Sequence, residues 1–340
     1  MTSNLRPSRC GCIDTHTHVI PYDFPAYVGS RPDAPWPSMR DAQPCHRHVV
    51  ISGNVYRTVS DQAWDIDVRR NDMDRLDIER HVLSPMPELL SYWLDPDDGA
   101  ALSRYLNETL ANMVARAPDR FSALGAAPLQ DMDRAIRELE FAAGELGLAG
   151  IEVGSNVGGV AIGDPRFSPF FEAAQACGAA IFVHPLRPAG MDRLVGPTSL
   201  EQIVAFPGEI GLAAASIITG GLMTRFPRLR IALSHGGGAI QTVLPRMQYA
   251  WECQRALREA IPVAPVDAAR ALYYDDLLYS ATAIRALIDT VGEDRVMIGT
   301  DYPFTIMDAD PAARVASLEL SDATQEALRW RNAARWLGLE

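Results

Sequence analysis

The sequence predicts a (β/α)8 barrel. Short apolar runs rich in β-formers alternate with helical stretches along the whole chain, the pattern of a parallel sheet covered by helices. Its 340 residues, 48% of them hydrophobic, bury a core large enough for such a fold. Most histidines stand where an apolar run ends, and a barrel builds its active sites at the C-terminal ends of its strands.

Taken in order, the first strand is expected at 10–13 and leads into an excursion over 19–62. That block is rich in Pro, Asp and Arg and carries a small hairpin around Val49–Val59. Further strands are expected at 80–84, 121–126, 149–153, 179–183, 229–233, 277–280 and 295–299. Helices fall between them at 65–77, 97–117, 131–147, 167–177, 208–225, 239–258, 282–291 and 311–319. The stretch from Asp131 to Gly147 is the clearest amphipathic case, with Ala135, Ile136, Leu139, Ala142, Ala143 and Leu146 on one stripe. Eight strands alternating with eight helices favour a closed barrel over an open doubly wound sheet. No Gly-x-Gly-x-x-Gly follows an early strand, which removes the main signature of a dinucleotide-binding fold. Internal repeats and low-complexity segments are absent, so 1–340 reads as a single domain.

A net charge of −12 argues against a nucleic-acid or anionic-membrane partner. No apolar run approaches the roughly 18 residues of a membrane span, and the N-terminus lacks the apolar core of a signal peptide. The expectation is a soluble, cytoplasmic protein. Five scattered cysteines (Cys10, Cys12, Cys45, Cys177 and Cys253) do not make a disulfide framework. Lys plus Arg is 31 and every one of these is arginine, so the chain has no lysine. Schiff-base chemistry, a lysine general base and a carbamylated lysine bridging two metals are all excluded.

The titratable residues carry the functional argument. His16 and His18 follow strand one, His184 ends strand five, His235 follows strand six and Asp301 ends strand eight. Of the 7 histidines, only His46, His48 and His81 lie elsewhere. Three neutral imidazoles and one carboxylate suit a single Zn²⁺ with a position left open. His16, His18, His184 and Asp301 are assigned to that set. His235, followed by Gly236, Gly237 and Gly238, is expected to have an open approach and to serve as a free general acid/base. The glycines would let backbone come close to a ligand.

The motifs His16-x-His18, Phe182-Val-His184-Pro185, Ser234-His235-Gly-Gly-Gly238 and Gly299-Thr-Asp301-Tyr-Pro-Phe304 resemble the amidohydrolase superfamily. The likeness is greatest to its aminocarboxymuconate-semialdehyde decarboxylase branch. Val55-Tyr-Arg57-Thr-Val, Trp64-Asp, Met73-Asp, Ser91-Tyr-Trp93, Pro118-x-Arg120-Phe121 and Gly220-Gly-Leu extend it along nearly the whole chain.

The resemblance implies a one-zinc barrel that works as a non-oxidative decarboxylase. It implies His16, His18, His184 and Asp301 as metal ligands and His235 as the base. Arg57 matches an arginine that holds a substrate carboxylate from the same chain, and Arg246 one donated across a homodimer interface. Bidentate arginine–carboxylate pairing is the physical reason for both. Trp93, Phe304 and Arg187 complete the expected substrate contacts.

The chain departs from the branch around the substrate. Ile51 stands where the branch has a lysine, and Leu186–Arg193 replaces a loop in which tryptophans are expected. Arg187 and Arg193 add positive charge there. The expected substrate is therefore a different small carboxylate, aromatic or ring-cleaved. A metal-dependent hydrolase of an amide, lactone or C=N bond, or a hydratase, would use the same residues, and the sequence does not separate these chemistries.

Overall fold

A computed structural model describes residues 11–197 and 199–339; Cys10 and the start of the expected first strand lie outside them. Strand β1 (Cys12–Val19) runs on through both histidines instead of stopping before them. After it come β2 (Ser38–Asp41), β3 (His46–Ile51) and β4 (Asn54–Ser60), a small antiparallel sheet in the order β2-β3-β4. The β3–β4 hairpin turns at Ser52 (φ 52°) and Gly53 (φ 77°), two left-handed residues whose twist matches that of the flanking strands. His46 and His48 lie on this hairpin, and neither lines the cavity described below.

The barrel strands continue with β5 (Ile78–Pro85), β6 (Phe121–Gly125) and β7 (Gly150–Gly154). A short hairpin, β8 (Asn156–Val157) and β9 (Val160–Ala161), precedes β10 (Ala180–His184). Then come β11 (Arg230–Leu233), β12 (Tyr273–Asp275) and β13 (Val296–Met297). Eight strands pair in parallel in the order β1-β5-β6-β7-β10-β11-β12-β13. Bonds from Thr15 N to Ile298 O, Asp301 N to His16 O and His18 N to Tyr302 O close the ring. The seventh barrel strand thus ends before 277–280, where the sequence placed it.

Helix boundaries follow local chemistry. Asp131 caps the helix Met132–Glu140 by accepting from Arg134 N, and Ser280 caps Ala281–Val291 by accepting from Ala283 N. The expected single helix over 208–225 breaks at Gly220–Gly221 into Phe206–Thr219 and Leu222–Arg225. The helical run Glu201–Thr219 is, contrary to expectation, long and apolar enough to cross a membrane by composition. Its Ile210, Ala213, Ala214, Ile217 and Ile218 are buried in the protein, while Ile203, Val204 and Leu212 are exposed.

Inside the barrel, Ile13, Val82, Leu124, Ala180, Phe182, Ala232 and Met297 form an apolar layer. The C-terminal helix Asn332–Leu337 packs Ala333, Trp336 and Leu337 against that layer. Trp336 is fully buried, so this end of the barrel is sealed. A register shift in β1 between Asp14 and Thr17 accompanies a change in contacts. Ile13 joins the apolar layer, whereas the rings of His16 and His18 turn to His184.

Candidate metal centre

The four expected ligands meet at one point. One donor atom from each of His16, His18, His184 and Asp301 lies within 4.8 Å of all the others, and all four residues are buried. Each imidazole is tied back through Nδ1: His16 to Asp275 Oδ2 at 2.7 Å, His18 to Pro85 O at 3.1 Å and His184 to Pro185 O at 3.1 Å. Such anchoring fixes the tautomer and aims each Nε2 at the common point. His16 Nε2 and His18 Nε2 stand 3.1 Å apart, and His18 Nε2 is 3.1 Å from Asp301 Oδ1. Two nitrogens bound about 2.1 Å from one ion lie roughly that far apart. His184 Nε2 is buried and no protein group satisfies it. The residues therefore fit one divalent cation.

Electrostatics agree with this. Burial pushes the Asp301 carboxyl up, but its contact with His18 and the nearby His16 outweigh that and hold it down at about 2. Burial lowers His16, yet Asp275 behind it and Asp301 in front raise it to about 9. A cation held there would take the place of the proton on its Nε2. His184 and His18 are both lowered, first by burial and, respectively, by neighbouring imidazoles and His16.

Asp275 was not foreseen from the sequence. Its buried carboxylate accepts from His235 N at 3.0 Å, Gly236 N at 2.8 Å and Leu277 N at 3.2 Å, besides holding His16. One side chain thereby fixes a metal-set imidazole and the loop that carries His235. Tyr273-Tyr-Asp275-Asp276 is the signal that could have revealed it, an acid at the end of a strand only three residues long.

His235 faces the same centre, its ring centroid 5.2 Å from that of His16 and 5.4 Å from that of His184. It is 9% exposed, and the cavity described below reaches it. Burial, then the charge of His16, lowers it to about 4, which leaves the ring neutral. Its buried Nδ1 has no protein partner. The glycines serve the loop itself: a Cβ on Gly238 (φ 56°) would stand 2.1 Å from Pro207 O. Gly238 alone of the three lines the cavity.

A cavity of about 260 Å³ opens over these groups, lined among others by Arg57, Glu88, Arg187, His184, His235 and Asp301. It lies just below the usual range for small-molecule pockets, about 300–1,000 Å³. Arg57 reaches it from β4, its guanidinium 4.0 Å over the Phe304 ring, and Phe304 stacks on His18 at 5.1 Å. The excursion after β1 thus delivers a cation one ring away from the metal set. Arg187 lies on the rim with its guanidinium 3.3 Å over Trp93, which does not itself line the cavity. Arg246 is not brought to this site; it is exposed on the helix Ile240–Cys253, near exposed Val243 and Tyr249. Left-handed backbone gathers here too, at Arg187 (φ 44°), His235 (φ 52°), Tyr279 (φ 53°) and Asp301 (φ 65°). Such strain in non-glycine residues concentrates at working sites.

Residues 13–339 match the family described as Amidohydrolase. The chain is 35% identical over 330 residues to 2-amino-3-carboxymuconate-6-semialdehyde decarboxylase of Dictyostelium discoideum, covering 96% of this chain and 92% of that protein. Among solved structures it is similar to 5-carboxyvanillate decarboxylase from Sphingomonas paucimobilis, with a TM-score of 0.74 and 29% identity over 82% of this chain and 85% of that one. It also resembles the dihydroxybenzoic acid decarboxylase of Polaromonas sp., solved with manganese and 2-nitroresorcinol. There the TM-score is 0.73 and the identity 26%, over 82% of this chain and 88% of that one.

Proposed function

The chain belongs to the amidohydrolase family, and from that premise we propose that it is a metal-dependent, non-oxidative decarboxylase of a small carboxylated aromatic or muconate-like acid. The observation that carries this reading is the pairing of the convergent His16, His18, His184 and Asp301 set with a fixed arginine, Arg57, over one small cavity. A divalent ion held there supplies a Lewis acid that polarises a substrate oxygen and acidifies water. Three imidazoles and a carboxylate favour Zn²⁺, and a set of this kind can also hold manganese, the ion with which the Polaromonas relative was solved.

The protein's own groups do the rest. Arg57, held flat by Phe304, presents its fork to the substrate carboxylate and orients it. His235 is neutral near pH 7, so its ring takes a proton from water in the cavity and passes one to the carbon that bears the carboxylate, ending neutral again. As that carbon gains the proton, its bond to the carboxylate breaks, and the electron pair of that bond stays on the carbon while carbon dioxide departs. A second copy of the chain would bring Arg246 to the site. In support, Arg246 is exposed among apolar Val243 and Tyr249, a surface suited to pairing in the cytoplasm.

The deciding experiment measures carbon dioxide release by the metal-loaded enzyme from a panel of aromatic and muconate-type acids. Release from at least one acid is expected, with kcat falling about 10²–10⁴-fold in His235→Ala while the metal stays bound. Cleavage of an amide or lactone without carbon dioxide would replace this reading with hydrolysis. An active monomer would remove the role given to Arg246.

A further inference from the structure

Beside the metal set and Arg57, the cavity carries a second pole of charge. Glu88, on the short turn Pro87–Leu90, and Glu201, at the start of the helical run that follows, both line it. Arg187 lies alongside, its Nη2 3.6 Å from Glu88 Oε1, and the two side chains are unequally exposed, 54% for the arginine and 15% for the glutamate. At 3.6 Å the contact is an ion pair longer than a hydrogen bond. Stacked on Trp93 and held by a left-handed backbone, Arg187 balances the charge of Glu88 without filling its acceptor positions. An ionised carboxylate offers about four of these. Burial and the nearby Glu201 leave the Glu88 pKa raised, with Arg187 and Arg57 offsetting only part of that. The cavity is thus cationic where Arg57 enters and accepting where Glu88 does.

We propose that Glu88 is a specificity-determining residue whose carboxylate accepts a hydrogen bond from an amino or hydroxyl group of the substrate, on a part of the molecule away from the carboxylate held by Arg57. The inference rests on the carboxylic-acid reading of the site and narrows it to acids that carry a donor. An alkoxy group or a bare ring edge at that place leaves acceptor positions of a largely desolvated carboxylate without a donor, and such sites discriminate against the analogue.

The test is calorimetric binding of simple acids to the metal-loaded protein: 3- and 4-hydroxybenzoate and 3- and 4-aminobenzoate, each against its methoxy counterpart. At least one donor-bearing acid is expected to bind about tenfold tighter than its methoxy partner, the effect of one hydrogen bond to a charged group. In Glu88→Leu that ratio should fall to within about twofold of unity; in the shape-conserving Glu88→Gln it should drop about threefold or more. A ratio unchanged in both variants, no preference in the wild type, or no binding by any acid of the set overturns the proposal. Binding needs no turnover, so a donor preference that depends on Glu88, without carbon dioxide release, would sink the decarboxylase reading and leave this one standing.

Discussion

The two ends of this barrel are built from the same strands and do opposite things. At the sealed end Ile13, Ala180, Ala232, Tyr273 and Met297 pack with the Trp336 helix. A few residues further along the same five segments stand His16, His184, His235, Asp275 and Asp301. Phe182 lies between the two levels, its ring 6.0 Å from Trp336 and 5.0 Å from His16. Polar atoms at the open end point at one another and several, such as His184 Nε2 and His235 Nδ1, have no protein partner. The difference teaches that position along a strand, more than residue type, separates packing from chemistry.

The largest effect should come from breaking the open end. His184→Ala is expected to abolish metal retention and reduce turnover more than about 100-fold, measured by metal analysis beside the carbon dioxide assay. Full metal occupancy in that variant would dissolve the proposed set. At the sealed end, Trp336→Ala should cost about 3–5 kcal/mol in urea unfolding, with kcat/KM nearly unchanged under folding conditions. If activity fell as steeply as stability, the two ends would not be separable. Asp275→Asn sharpens the comparison, because Asp275 sits at the open end yet touches only protein; it should weaken metal affinity about 10–100-fold.

The smallest effect concerns Glu152, on β7 between the two levels, whose Oε2 is 3.9 Å from His18 Nδ1. Burial raises its pKa from 4.5 to about 8. The folded metal-free protein therefore binds a proton that the unfolded chain has lost, and this destabilises the fold increasingly as pH rises from 4.5 to 8. Glu152→Gln should remove this pH dependence, so that the metal-free Tm of the variant relative to the wild type rises as pH goes from 4 to 7. A gain independent of pH would show that Glu152 is ionised in the fold.

The barrel and the four-residue donor set were legible because each donor follows a run of apolar residues that reads as a strand whatever its neighbours do. Asp275 was not, since three residues carry no usable periodicity and the more apolar Leu277–Leu278 drew the expected strand past it. The β1 histidines lie within the strand and not beyond it, because a register shift has no signature in composition. Glu88 was hidden for another reason: it comes from a short turn, and only the folded chain brings that turn to Arg187 and Trp93. The Trp336 helix went unread because its seal depends on residues scattered over seven strands.

The left-handed backbone at Arg187, His235, Tyr279 and Asp301 has a consequence for how such a pocket can change over time. That conformation costs an ordinary residue about 1–2 kcal/mol and is worst for β-branched ones, whereas glycine and asparagine take it readily. New activities reached by single substitutions at Arg187 or Tyr279 will therefore be drawn from a short alphabet, with Asn, Asp, Gly and His admitted and Val, Ile and Thr refused. The rim of the cavity filters its own mutational future by backbone geometry before any substrate has been tried.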